Sequence, residues 1–134
     1  MITFRNHLKG VDWEALREDL IGDRFHNGRT VAQLRASFEN SRHVAMAFDR
    51  DRCIGNARAL SDGIGNAYLL DVWTQSGYRR QGIGRTMVEM LFTAVPGQHV
   101  YLQTEDAVGF WESLGFRPQP HGMSLVVGRY LQTH

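Results

Sequence analysis

Apolar residues fall first at helical and then at strand spacing along this chain, and the switches mark its elements. Ile2 to Arg5 reads as a short strand. Asp12 has the character of an N-cap, with Trp13, Leu16 and Leu20 at helical spacing behind it. A loop-like run over residues 22–29 precedes a second helix. There Thr30 and Gln33 fit a capping box, and Val31, Leu34 and Phe38 follow at i, i+3 and i+7. The period then drops to two. Val44, Met46 and Phe48 alternate with Ala45 and Ala47, which predicts a strand with one larger and one smaller face. The polar turn at residues 49–52 leads into a second strand, Cys53 to Leu60. Asp62-Gly63 with Gly65-Asn66 marks another turn, and Tyr68 to Thr74 is a third, mostly apolar strand. Together these three strands predict an antiparallel meander.

A polar loop, Gln75-Ser76-Gly77-Tyr78, then opens through glycines into a helix carrying Ile83, Met87, Met90 and Leu91 on one stripe. Pro96-Gly97 stops that helix. His99 to Gln103 is a short strand. Ala107, Phe110, Trp111 and Leu114 predict a further helix, and Gly115 suits its left-handed cap. Met123 to Leu131 reads as a last strand. The strand–helix–strand unit in the middle favours parallel pairing, so the whole predicts a single α/β domain over residues 1–134 with a mixed sheet.

Composition narrows the function classes. The 134 residues carry 15 basic and 14 acidic side chains, a formal charge of +1, which offers nothing to a general nucleic-acid or membrane-surface binder. Cys53 is the only cysteine, so neither an internal disulfide nor a several-thiolate zinc site is available. Six histidines are dispersed without an i, i+4 pair, and no metal is expected. The first residues lack a signal-type apolar run, and no stretch approaches the ~18 apolar residues of a membrane span. The expectation is a cytoplasmic protein.

Chemistry concentrates in Val72-Trp73-Thr74-Gln75-Ser76-Gly77-Tyr78-Arg79-Arg80-Gln81-Gly82-Ile83-Gly84-Arg85. Glycines allow tight bends and let an anion approach without a Cβ in the way. The first N–H groups of a helix lack intrahelical partners, and the helix dipole favours negative charge there. Arg79, Arg80 and Arg85 add three cations, with no acid between Gly77 and Arg85. The physical reading is a pyrophosphate cradle. A solvated basic turn ahead of a glycine helix start is about equally compatible with these residues alone. The dinucleotide pattern Gly-x-Gly-x-x-Gly fails because Met87 holds the third glycine position, and no Lys follows the glycines as a phosphate loop requires.

Arg79-Arg80-Gln81-Gly82-Ile83-Gly84 resembles the (Gln/Arg)-x-x-Gly-x-(Gly/Ala) signature of the GCN5-related N-acetyltransferases, the GNAT family. Asp71-Val72-Trp73-Thr74 precedes it where that family has its acetyl-CoA-binding strand. Downstream, residues 107–116 resemble the family's second motif, A-x-x-F-Y-x-x-L-G-F. The motif resemblance covers roughly residues 44–118. It implies an acyl-CoA N-acyltransferase-like fold with six to seven strands and about four helices. It also implies that the fourth strand splays from the fifth, as a bulge commonly produces. Pantetheine would lie in that gap against the backbone of Val72, Trp73 and Thr74. Residues 79–85 would hold the pyrophosphate, and Phe110 would stand beside the coenzyme.

The implied activity is transfer of an acetyl group from acetyl-CoA to a primary amine by direct attack in a ternary complex. The acceptor would be a small molecule or a peptide, with no nucleic acid or membrane as partner; family habit admits a homodimer. Asp71 is a candidate base; its alternative is a strand carboxylate satisfied by backbone or by an arginine. Glu105 and Asp106 are other candidate bases or helix-start charges. Trp111 stands where the family often has a Tyr that protonates the thiolate, and an indole N–H is a far weaker acid. Tyr101, Thr104 and Tyr130 are substitutes without positional support. Residues 24–29, Trp13, Asp62 and His121 are candidates for the acceptor pocket. The competing reading is a non-catalytic coenzyme-A-binding module that kept the cradle and lost the acid. Cys53 reads as a small buried hydrophobe.

Overall fold

The computed structural model of this chain describes residues 1–132. It divides into two units, Met1–Leu102 and Gln103–His134. The first holds one five-stranded sheet in the order β1-β2-β3-β4-β5. The strands are β1 (Ile2–Arg5), β2 (His43–Asp49), β3 (Arg52–Ser61), β4 (Asn66–Thr74) and β5 (His99–Tyr101). Neighbours from β1 to β4 pair antiparallel, so the expected meander is present. β4 and β5 pair parallel, joined by the crossover helix α3 (Ile83–Ala94). Among the described residues no helix is long and apolar enough to cross a membrane.

Local chemistry starts both N-terminal helices where expected. Asp12 Oδ1 accepts from the Ala15 N–H at 3.1 Å at the head of α1 (Trp13–Gly22). Thr30 and Gln33 exchange both capping-box bonds at the head of α2 (Val31–Glu39), at 3.0 and 3.1 Å. Trp13, Leu16 and Leu20 of α1 bury with Leu34 and Phe38 of α2 against Met46, Phe48, Cys53 and Trp73 of the sheet.

The opposite sheet face is small. Ala45 faces Ala57 and Ala47 faces Gly55, and the three alanines are fully buried. A Cβ on Gly55 would lie 3.1 Å from Met87 Cε and 3.2 Å from the Trp73 carbonyl oxygen. The alternation of large and small side chains along β2 thus lets α3 approach on one face and reserves the other for α1 and α2.

β4 carries the irregularity that matters. Asn56 faces Trp73 and Arg58 faces Leu70, so Asp71 and Val72 stand opposite the single residue Ala57. Asp71 takes φ +56°, a left-handed conformation at the first residue of a bulge. The pairing of β4 with β5 covers Asn66, Ala67 and Tyr68, whereas β4 runs on to Thr74. Pairing therefore stops at Tyr68, where β5 itself ends at Tyr101 rather than at the expected Gln103, and the bulge lies in the half of β4 beyond that point.

The second unit contains α4 (Val108–Ser113). Its C-terminus closes as a Schellman motif. Gly115, at φ +97°, donates to the Glu112 carbonyl at 3.0 Å, and Phe116 donates to the Trp111 carbonyl at 3.1 Å. The accompanying hydrophobic contact is Trp111 on Phe116, with ring centroids 5.3 Å apart.

The expectation of six to seven strands is corrected to five. The missing element is the last strand predicted over Met123 to Leu131, which is irregular throughout. Met123, Leu125 and Val127 are 88%, 86% and 87% exposed. Left-handed backbone at Gly128 (φ +69°) and Leu131 (φ +60°) also interrupts the extended geometry a strand needs. The four expected helices are present.

Candidate functional site

The bulge residue is clamped by charge. Arg29 Nη1 and Nη2 donate to the two Asp71 carboxylate oxygens at 2.8 and 3.0 Å, a bidentate fork. Arg58 Nε donates to Asp71 Oδ2 at 2.6 Å. All three side chains are largely buried. Burial by itself would raise the Asp71 pKa, but the hydrogen bonds and charge of Arg29, then of Arg58, hold it below the usual carboxylate range. Asp71 is thus a fixed anion with both oxygens occupied. Of the two roles open to it in the sequence, the arginine-satisfied strand carboxylate is what the geometry contains.

Each clamping arginine is itself supported. The Arg29 carbonyl accepts from Arg17 Nε at 2.6 Å, and Arg29 Nε donates to the His26 carbonyl at 3.2 Å. Arg58 Nη1 donates to Ser41 Oγ at 3.2 Å. Asn56 Nδ2 donates to the Asp71 carbonyl oxygen at 2.6 Å. The first helix pair and its connecting loop are in this way tied to β4. Sequence reasoning held Arg29 only as an acceptor-pocket candidate, not as a partner of Asp71, and missed Arg58 and Asn56. A signal existed: an acid inside the apolar run Tyr68 to Trp73 demands a buried cation.

Past Thr74 the chain makes a 3₁₀ turn over Ser76–Tyr78 and reaches the start of α3. Asp23, at the end of α1, organises this turn. Its Oδ2 accepts from Trp73 Nε1 and from the Ser76 N–H, both at 3.0 Å, and lies 3.5 Å from Arg79 Nη2. Arg79 Nε also donates to the Thr74 carbonyl at 3.1 Å. Tyr78 Oη donates to Asp49 Oδ2 at 2.6 Å, and this bond lowers the Asp49 pKa. Arg79 and Tyr78 therefore shape the turn.

Arg80 (φ +66°) and Gly82 (φ +77°) both take left-handed backbone around Gln81. Gly82 is the N-cap of α3 and makes no side-chain cap bond. The space where its Cβ would stand has no atom within 4 Å. Gln81 and Arg85 are exposed, Gly84 is half-buried, and Ile83 is buried as the helix's inward anchor. Among the described residues, no hydrogen bond or ion pair engages the exposed Arg80 guanidinium. Uncapped helix N–H groups, open space at the glycine and a nearby cation suit a diphosphate.

The structure thus brings Asp71, Val72, Trp73, Thr74 and residues 79–85 together in the first unit. Phe110 and Trp111 belong to the second unit. Trp111 is buried there, edge-on to Phe110 at 5.0 Å and to Phe116. Glu105 and Asp106 are exposed ahead of α4, where Thr104 Oγ1 accepts from the Ala107 N–H at 3.1 Å. Asp62 accepts from the N–H groups of Ile64, Gly65 and Asn66, which hold its pKa at about 2. That carboxylate closes a turn.

A mixed sheet whose parallel edge pair stops short of the end of β4, beside a glycine-led helix, defines an acyltransferase type of fold. The family model for the Acetyltransferase (GNAT) family matches residues 12–116. A soybean (Glycine max) protein named Histone acetyltransferase TAP1 is 31% identical over 110 residues, 71% of this chain and 48% of its own. A GNAT-family member from Xanthomonas campestris pv. campestris superposes with TM-score 0.81 at 21% identity, covering 98% of both chains. A Streptococcus pneumoniae TIGR4 structure named Acetyltransferase, GNAT family protein superposes with TM-score 0.76 at 26% identity, over 96% of this chain and 100% of that one. This chain belongs to the GNAT acetyltransferase family. It spans about half the length of the soybean relatives it matches.

Proposed function

We propose that this chain is an acetyl-CoA-dependent N-acetyltransferase that passes the acetyl group directly to a primary amine. The observation that carries this reading is the open half of β4, which leads from the Asp71 bulge straight into the Gly82 helix start. In this reading the backbone of Val72, Trp73 and Thr74 pairs with the pantetheine amides, as an added strand would. A strand N–H polarises the thioester oxygen. Residues 80–84 and Arg85 take the diphosphate, while Arg79, committed to Asp23 and Thr74, holds the turn.

When bound, the coenzyme supplies an activated acetyl group as a thioester. The amine nitrogen forms a bond to the acetyl carbon, the carbon–sulfur bond breaks, and the amine gives up a proton to water. The cleft contributes by holding both reactants. Asp71 does not take the amine proton in this scheme, because a carboxylate clasped by two guanidinia is a weak base. The thiolate leaves without help from Trp111, whose indole forms part of an aromatic cluster.

The name of the soybean relative gives histone as what that protein acetylates, so peptide amines stand beside small amines as acceptors. The test is thiol release from acetyl-CoA against polyamines, aminoglycosides, amino acids and lysine peptides. Amine-dependent release with matching N-acetyl product is the expected result. Tight coenzyme binding without release on any amine would replace the enzyme with a coenzyme-binding module.

A further inference from the structure

We propose that Asp71 is a positioning residue: clasped by Arg29 and Arg58, it holds the β4 bulge that presents Val72, Trp73 and Thr74 to the thioester arm. The inference rests on reading this cleft as the coenzyme site, and it concerns the arm alone, not the diphosphate end.

Three side chains make four hydrogen bonds to one residue of unusual backbone. Asp71 has φ +56°, a conformation that L residues enter seldom and that Asp and Asn tolerate best. Its carboxylate receives three hydrogen bonds, two from Arg29 and one from Arg58. Its carbonyl oxygen receives a fourth, from Asn56. A residue held at both its side chain and its main chain cannot return to the extended geometry without breaking these contacts. An unclamped β4 would regain regular pairing with β3, and that one-residue slip would turn each following side chain to the opposite face. Trp73, whose indole donates to Asp23 from the α1 and α2 face, would lose that place.

The clamp also reaches across the chain. Arg29 lies in the loop between α1 and α2, 42 positions before Asp71. Its own carbonyl is fixed by Arg17, and its Nε by the His26 carbonyl. The loop that precedes α2 and the strand that lines the cleft are therefore set by the same ion group. Apart from Asp23, which Trp73 shares, the cradle at Gly82 makes its contacts outside this ion group, through Arg79 to Asp23, Tyr78 to Asp49 and the start of α3.

This separation gives the test. Asp71→Asn keeps a residue tolerant of the left-handed backbone and removes the charge together with one of the two acceptor oxygens. Arg58→Met removes one of the three carboxylate bonds and leaves the neutral Arg29–Asp71 pair. Binding of two ligands is measured by calorimetry for each variant, with folding checked by circular dichroism. The ligands are acetyl-CoA, which has the arm, and 3′-phosphoadenosine 5′-diphosphate, which lacks it. For Asp71→Asn, the acetyl-CoA Kd is expected to rise about tenfold, while affinity for the armless ligand stays within about twofold. Arg58→Met is expected to weaken acetyl-CoA alone by about threefold. If Asp71→Asn does not fold, Arg58→Met decides the matter. Equal weakening of both ligands would reduce Asp71 to a merely structural residue and overturn the proposal. Unchanged acetyl-CoA affinity in the folded variants would overturn it as well. Failure of the unaltered protein to bind either ligand would instead overturn the coenzyme reading itself.

Discussion

The β4–α3 region and the unit beginning at Gln103 both carry a recognisable motif, yet their structures realise it to different degrees. From Asn66 to Ala94, strand, bulge, turn and helix start are each held by contacts from other elements: Arg29 and Arg58 on Asp71, Asp23 on Trp73 and Ser76, Asp49 on Tyr78. In the second unit, α4 closes on its own Schellman bonds and aromatic contacts, and the run from Met123 to Val127 is irregular and exposed. A motif fixes local geometry in both. The first region adds long-range polar contacts that hold backbone in conformations it would not choose alone.

The sharpest way to break this contrast is to remove the clamp altogether. Asp71→Ala leaves two buried guanidinia without their anion and puts a residue ill-suited to φ +56° at the bulge. Stability is expected to fall by about 3–5 kcal/mol, measured by urea denaturation. The pH dependence follows from the same ion group. The folded Asp71 pKa lies below its unfolded value of 3.8, so its contribution is full above that value and is lost as pH falls through the lower folded one. The acid limb of the stability curve should be shallower in Asp71→Asn than in the parent protein. Identical acid limbs would show that the clamp carries no linkage.

The cradle is probed next. Gly82→Glu brings a side chain into space that is open and an acid to where a diphosphate is expected. Acetyl-CoA affinity should fall about a hundredfold, while the left-handed backbone costs about 1–2 kcal/mol of stability. Unchanged affinity in the folded variant would count against the cradle. Gly82→Ala, with the strain but not the charge, should keep most of the binding.

The second unit should respond less. Trp111→Tyr trades an indole in the aromatic cluster for a phenol, at a cost of about 1 kcal/mol. If a hydroxyl there can reach a leaving thiolate, the alkaline limb of the pH–rate profile moves. An unmoved limb would show that a hydroxyl at position 111 has no part in thiolate protonation.

The smallest effect is expected at Cys53. Burial pushes its thiol up to about 12. The unfolded thiol ionises near 9.0, so Cys53 lowers stability as pH rises between the two values. Native protein should resist thiol reagents at pH 8 and react fully once unfolded. Prompt labelling of the native state would contradict the burial.

What was legible in the sequence was what local chemistry determines. Asp12, Thr30 and Gln33 announce helix starts because a cap acts over three residues. The large and small faces of β2 are visible because side chains alternate strictly along a strand. The glycine helix start was visible for the same reason, since Gly82 needs only its own backbone to turn. Arg29 was not legible as a partner of Asp71, because nothing at position 29 indicates a carboxylate 42 positions on. The last strand failed for a related reason. Alternating apolar residues state which face a strand would bury, but not whether a neighbouring ladder exists to receive it. Gly128 and Leu131 then break the extended run, and only the three-dimensional backbone reveals that.

In the proposed function, β4 beyond its bulge and the first turn of α3 form one continuous binding surface for an acyl-coenzyme. Protection of backbone amides from hydrogen exchange, measured on the whole chain with and without acetyl-CoA, tests this most directly. Saturating acetyl-CoA should slow exchange in two contiguous stretches, residues 72–74 and 80–85, and Gly82→Glu should remove both effects. Slowing confined to other segments, or none at saturating coenzyme, would contradict it.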